Sequence, residues 1–257
     1  AYFKTHYYGG IKKYQWTVLP LALHGVVALR DGRTVDVSIG DGRDDPQFII
    51  TDLLPHLSAD QSKKTLSEAI SGEGLNILIG SVPDPEEGAD RVQLALLRLL
   101  NEKYGITEAD FLSAELSAVP AIETRDQGLD RSLIGGYGHD DRVCAYAELR
   151  AILETESPRR TCVCILADKE ETGSCASQGV ELRHCFANSI CISADVCNGF
   201  DPNYPEVSEK RNNARLNYGV CLVKFTGARG KSGSNDASAE LVGYLRGLFD
   251  RSGVVWQ

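Results

Sequence analysis

An α/β fold, a sheet flanked by helices, is predicted by three features of this 257-residue chain. Strand-like β-branched runs recur at residues 18–29, 34–39 and 161–167. Stretches with helical periodicity lie between and after them, and several apolar runs stop abruptly on carboxylates. A sheet with apolar faces must bury them, and layering helices on it is the economical way to do so.

Taken in order, residues 1–17 read as a Tyr-, Gly- and Lys-rich connector. Residues 18–112 hold the first two strand-like runs, a Pro-flanked segment and the helical sequence Ala89-Asp-Arg-Val-Gln-Leu-Ala-Leu-Leu-Arg-Leu-Leu-Asn-Glu-Lys103. From residue 113 to 257 the α/β pattern resumes. Val143, Tyr146, Ala147 and Ile152 can form one apolar stripe on a helix, and residues 237–249 read as another amphipathic helix.

The composition is that of a folded chain: 42% hydrophobic and 25% charged, with no apolar run long enough to span a bilayer. A formal charge of −9 argues against nucleic acid or an anionic membrane as partner, because both would repel it. The eight cysteines include no Cys-x-x-Cys pair, so neither a zinc ribbon nor a disulfide framework is indicated. They are expected to be reduced and buried as small hydrophobes, which points to the cytoplasm.

Chemistry concentrates where apolar runs end. Thr161-Cys-Val-Cys-Ile-Leu-Ala-Asp-Lys-Glu-Glu-Thr-Gly-Ser174 delivers the adjacent carboxylates Glu170 and Glu171 to a glycine turn. Ile190-Cys-Ile-Ser-Ala-Asp195 is another short run closing on an acid, and Gly138-His-Asp-Asp-Arg142 precedes a helix-like segment. Neighbouring side chains point in different directions, so one glutamate can bind a cation while the other handles a proton on water. Two divalent ions about 3.5–4 Å apart would polarise a carbonyl and bring the pKa of bound water towards about 7.

Three of these segments, Gly138-His-Asp-Asp-Arg142, Asp168-Lys-Glu-Glu-Thr-Gly-Ser174 and Ser193-Ala-Asp-Val-Cys-Asn-Gly-Phe-Asp-Pro-Asn-Tyr204, resemble in order the central motifs of the M18 family of zinc aminopeptidases. Phe3-Lys-Thr-His-Tyr-Tyr-Gly-Gly-Ile-Lys-Lys-Tyr-Gln-Trp16 resembles the segment by which bacterial aminopeptidase I proteins leave the catalytic domain for an inserted one. The resemblance implies a zinc-exopeptidase-like mixed sheet flanked by helices, with an inserted, mainly-β dimerisation domain at 18–112 and part of the catalytic domain at 113–257.

It also implies roles. Asp140 falls where the family places the carboxylate bridging two zinc ions, and Glu170 takes the general-base position. Glu171 and Asp195 take terminal ligand positions on the two zincs. The family adds two histidine ligands, neither of which is visible: His6, His24, His139 and His184 lie in no suitable context. The chain starts at alanine, contains no methionine and stops at Gln257 where the family continues. It is therefore expected to be part of a longer enzyme or to lack residues, with residues 175–189 short for the family's distance between Ser174 and Ser193.

In the inserted part, Asp52-Leu-Leu-Pro-His-Leu57 resembles the family segment that sends a histidine, here His56, into a neighbouring protomer's active site; a structural histidine is the rival reading. The resemblance implies homo-oligomers in which dimers build a tetrahedral dodecamer. Lys224 aligns with a lysine of the substrate pocket. Asn198 departs from the histidine that many aspartyl-specific members carry nearby, which puts a strict acidic preference in doubt. Gly227-Ala-Arg-Gly-Lys-Ser232 lacks the spacing and setting of a phosphate-binding loop.

The resulting expectation is a metalloaminopeptidase that removes N-terminal residues from peptides with water activated by two Zn2+ ions. A related cocatalytic-metal peptidase or deacylase, and a non-catalytic self-assembling scaffold of the same fold, are the alternatives.

Overall fold

The β-branched run near residue 20 becomes a strand over Leu21–Ala28, and Thr34–Ile39 returns antiparallel beside it. The connection is tight: Gly32 has φ +87° and donates its N–H to the Leu29 carbonyl, while Asp31 accepts the Arg33 N–H at 3.0 Å. The computed structural model describes residues 1–7, 10–86, 88–167, 180–207, 213–226 and 235–257.

In chain order its strands are β1 (Tyr2–Phe3), β2 (Leu21–Ala28), β3 (Thr34–Ile39), β4 (Ile49–Ile50), β5 (Ile77–Leu78), β6 (Ala114–Pro120), β7 (Arg125–Gln127), β8 (Leu133–Gly135), β9 (Phe225–Thr226) and β10 (Asn235–Asp236). The helices are α1 (Leu66–Ala69), α2 (Arg91–Tyr104), α3 (His139–Leu153), α4 (Val180–Ala187) and α5 (Ala239–Ser252). The architecture is mixed α/β with small sheets. The chain divides into one unit of Ala1–His139 with Ile165–Ser189 and another of Asp140–Cys164 with Ile190–Gln257.

The first unit is organised around β2, which pairs antiparallel with β3 on one edge and β6 on the other. β6 begins at Ala114, just past the residue 112 at which the sequence placed the end of the insert. Glycine is required at position 25: φ is +149°, and a Cβ there would sit 1.9 Å from the Glu115 carbonyl oxygen. A second sheet, ordered β1-β5-β4, is tied to β2 through hydrogen bonds between Leu21 and Phe48 at 2.8 and 2.9 Å.

Each end of β2 anchors a core. Leu21 and Leu23 pack with Ile50, Ile70, Leu75 and Ile77, and Val27 packs with Leu29, Val37, Ile39 and Ile106. Burying each such side chain contributes about 1.5–3 kcal/mol. The helical stretch expected at residues 89–103 forms as α2, closed by Gly105 in the left-handed conformation with its N–H on the Asn101 carbonyl at 2.8 Å. Arg98 on this helix lies 2.9 Å from Asp84, whose carboxylate is buried, and 2.9 Å from Glu86. That pairing is what makes a buried carboxylate tolerable.

In the second unit α5 matches the expected helix at 237–249. Ser238 caps it by accepting the Leu241 N–H at 3.2 Å, and Gly253 (φ +66°) ends it. The chain end folds back: Gln257 accepts the Arg215 N–H at 2.8 Å and returns a bond to its carbonyl at 3.0 Å.

Three local expectations are corrected. The apolar runs at 161–167 and 190–195 form no ladder among the described residues, and Val163, Ile165, Ile190 and Ile192 are exposed. A buried parallel strand needs neighbours on both edges, and no described segment supplies them. On α3 the stripe expected at Val143, Tyr146, Ala147 and Ile152 is mostly exposed. Cys144, Ala145, Glu148 and Ile152 are the half-buried positions instead. The described cysteines are not core residues either: Cys162, Cys185, Cys191 and Cys197 are exposed, Cys144, Cys164 and Cys221 are half-buried, and Cys175 lies outside the described residues.

Candidate metal centre

Asp140 and Asp195 are the two expected metal ligands that lie within the described residues. Asp140 occupies the entry to α3, where its own φ/ψ of −82°/115° is not yet helical; Asp141 follows across a cis peptide bond. Regular helix follows from Arg142, so both carboxylates stand at the helix N-terminus, where the backbone dipoles favour negative charge. Asp195 ends the extended segment after Ile192, and its Oδ1 accepts the Val196 N–H at 2.7 Å.

Both acids act through their charge on Cys144, one turn into α3. Burial pushes the Cys144 thiol above its ordinary pKa, and the charges of Asp141, Asp195, Glu148 and Asp140 push it further. Both acids are exposed, and neither forms an ion pair with a described lysine, arginine or histidine. Glu170 and Glu171 lie outside the described residues, as does Asp168. Among the described residues no three His, Cys, Asp or Glu side chains are grouped as a metal site.

The donor chemistry fits the implied ions as far as it extends. Asp140 and Asp195 offer hard carboxylate oxygens of the kind zinc accepts beside nitrogen ligands, and among the described residues neither is paired with a cation.

Lys224 is already engaged. Its Nζ lies 2.5 Å from Asp236 Oδ1 and 2.9 Å from the Ala237 carbonyl, across the β9–β10 ladder. The glycine-rich string 227–232 lies outside the described residues. Asn198 Nδ2 reaches Asn213 Oδ1 at 3.4 Å, leaving the buried Asn213 Nδ2 without a hydrogen-bond partner among the described residues.

The histidines separate by environment. His24 Nε2 lies 2.9 Å from Asp41 Oδ2, the satisfied structural histidine expected from its strand. His56 sits in the 3-10 turn Pro55–Leu57, exposed, and has no hydrogen-bond or ion-pair partner among the described residues. Exposed Leu53, Leu54 and Leu57 flank it. His139 and His184 are exposed, on α3 and α4.

Sequence reading missed two arrangements. Cys197 and Cys221 form a thiol–thiol hydrogen bond, and Cys221 is pushed up to about 11, chiefly by burial and then by that neighbour. Their separation in sequence left no spacing signal. The second is the anchoring of the His56 loop by Asp52: Oδ1 accepts the Leu53 N–H and the Gln61 Nε2, each at 2.8 Å. Aspartate followed by a turn was the available clue.

Comparison with known proteins places the chain in a family. The family model described as aminopeptidase I zinc metalloprotease (M18) matches residues 1–187 and 180–257. The probable M18 family aminopeptidase 1 of Clostridium acetobutylicum is 47% identical over 281 residues, covering 100% of this chain and 60% of the relative. That alignment is longer than the chain, so the relative carries additional residues within the matched region. The crystal structure of an M18 aminopeptidase from Thermotoga maritima superposes with a TM-score of 0.89 at 44% identity, covering 100% of this chain and 62% of that one. The S. cerevisiae mApe1 dodecamer shares the fold, with a TM-score of 0.65 at 19% identity over 100% of this chain and 61% of its own. This chain thus spans about three-fifths of the length of these relatives. With the family model matched from end to end and a relative 47% identical over the whole chain, the chain belongs to the M18 family of aminopeptidase I zinc metalloproteases.

Proposed function

We propose that the protein carrying this chain is a zinc aminopeptidase that removes single N-terminal residues from peptides, with Asp140, Glu171 and Asp195 as carboxylate ligands and Glu170 as general base. What supports this reading is that Asp140 and Asp195 are both exposed, form no ion pair among the described residues and both add negative charge to the surroundings of Cys144. Carboxylates gathered without a counter-charge are destabilising unless a cation joins them.

A pair of zinc ions, when bound, supplies polarisation of the scissile carbonyl and water of lowered pKa. The residues do the rest. Asp140, Glu171 and Asp195 would hold the ions, and Glu170 would take the proton of the attacking water and hand it to the leaving amine. Lys224, held by Asp236, borders the substrate pocket and meets an acidic or backbone group of the peptide. His56 is lent by one protomer to the active site of its two-fold partner, where it donates a hydrogen bond to the developing oxyanion. Its exposure and lack of a partner among the described residues support that role over a structural one.

Dimers assemble to a tetrahedral dodecamer in the cytoplasm. The yeast relative solved as a dodecamer supports the first statement, and the seven cysteines among the described residues, all free, support the second. No described helix is long and apolar enough to cross a membrane. The test is metal quantification of the full protein together with hydrolysis of a panel of aminoacyl-naphthylamides. Zinc with exopeptidase turnover supports the reading. Release of acyl groups alone would make it a deacylase, and neither metal nor turnover would make it a scaffold.

A further inference from the structure

We infer that Asp52 is the positioning residue of His56, pinning the loop that presents it; the inference rests on the reading of His56 as a histidine lent to a partner's site. The loop leaves the core at Ile50, which is buried on β4, and returns at Ser58, which is buried again. Everything between is exposed, including three leucines that gain nothing by facing water. Such a crest keeps one shape only if polar groups at its base fix it.

Asp52 does so at the outgoing side. Its Oδ1 takes two donors, the Leu53 N–H at 2.8 Å and Gln61 Nε2 at 2.8 Å, joining the loop's start to the turn that follows it. Its Oδ2 lies 3.4 Å from the hydroxyl of buried Thr17, which ties the carboxylate to the body of the unit. On the returning side Ser58 closes the turn, its hydroxyl 3.1 Å from the Pro55 carbonyl and 3.3 Å from the Ser62 hydroxyl. Between these pins the 3-10 turn Pro55–Leu57 is fixed by the Leu57 N–H on the Leu54 carbonyl at 2.8 Å. His56 itself has no tether among the described residues, so its place in a partner's site depends on the geometry of the loop that carries it.

The geometry also predicts which substitution is tolerated. Both donors converge on Oδ1, so Asp52→Asn keeps the acceptor they use and presents an amide to the Thr17 hydroxyl, which can accept. Asp52→Ala removes all three contacts.

In the full protein, kcat, KM, zinc content and oligomer size are measured for Asp52→Ala, Asp52→Asn, Gln61→Ala, His56→Ala and the Asp52→Ala/His56→Ala double variant. Displacing a group that acts in the transition state lowers kcat by roughly 10- to 100-fold, so Asp52→Ala should do this with KM, zinc and assembly unchanged. Gln61→Ala should show a smaller loss and Asp52→Asn should recover most of the activity. The double variant should be no slower than His56→Ala, because the two act through one contact. Full activity of His56→Ala would overturn the borrowed-histidine reading and this inference with it. A slow His56→Ala beside a normal Asp52→Ala would overturn the inference alone. Loss of zinc or of assembly in both Asp52→Asn and Gln61→Ala would also overturn it, making Asp52 a folding residue.

Discussion

Asp236 holds the ammonium of Lys224 at 2.5 Å, so the lysine assigned to the substrate pocket is paired before any peptide arrives. Both side chains are substantially exposed, and an exposed pair of this kind contributes about 0–1 kcal/mol. A substrate carboxylate can therefore compete for Lys224, with a modest advantage over a neutral side chain.

Asp236→Asn should release Lys224 and raise kcat/KM for acidic N-terminal residues relative to neutral ones, by no more than about fivefold, the ceiling set by a surface pair. Lys224→Ala should lower the same ratio. Parallel assays on aspartyl- and leucyl-naphthylamide check both, and unchanged ratios in both variants would remove Lys224 from the pocket.

The core anchored on β2 gives a stability prediction. Leu21 is completely buried and touches the cluster that includes Ile50, Ile70 and Ile77. Leu21→Ala should destabilise by about 2–5 kcal/mol, the cost of lost transfer free energy plus the cavity left behind. Urea denaturation monitored by circular dichroism measures it. A shift below about 1 kcal/mol would mean the site collapses freely.

Thiol reactivity should sort the cysteines. With Cys221 pushed up to about 11, its thiolate fraction at pH 8 is roughly 100-fold below that of an ordinary thiol. Mass spectrometry after timed iodoacetamide labelling should find Cys221 far slower than exposed Cys162, Cys185 and Cys191. Cys197→Ser should speed Cys221 only partly, since burial is the larger cause of its shift.

Much of this architecture was legible in the sequence because its signals are local. β-branched runs marked β2 and β3, and amphipathic periodicity marked α5. His24 was read as structural from its strand, and Asp41 satisfies it. What escaped depended on partners distant in the chain. The face of α3 was misjudged because Cys144 and Glu148, rather than Val143 and Tyr146, turn inward, and periodicity could not say which side is covered. The runs at 161–167 and 190–195 read as buried strands, yet a strand exists only with neighbours. Asp140 and Asp195 were named by motif, and their joint electrostatic influence on Cys144 is a tertiary effect that no spacing encodes.

Asp110 supplies the acid side of stability. The Thr107 hydroxyl and N–H donate to Oδ2 at 2.6 and 2.8 Å, and Arg30 N–H donates to Oδ1 at 3.2 Å, together holding the Asp110 carboxyl below the usual carboxylate range. A carboxylate depressed in the folded state stabilises above its unfolded pKa of about 3.9, and that contribution is lost as pH falls through the folded value. Asp110→Asn should therefore lower stability at pH 7 and flatten its decline below about pH 4. Urea midpoints from pH 2 to 7 check this, and parallel curves for the two proteins would refute it.

The division of labour between adjacent glutamates is the centre of the account, and zinc content measured beside turnover in the full-length Glu170→Gln protein tests it most directly. The amide keeps the size of the side chain and removes the base, so zinc should stay at the level of the unmutated protein while kcat falls by roughly 10²–10⁴. Loss of zinc along with activity would make Glu170 a ligand, and retention of full turnover would remove it from the reaction.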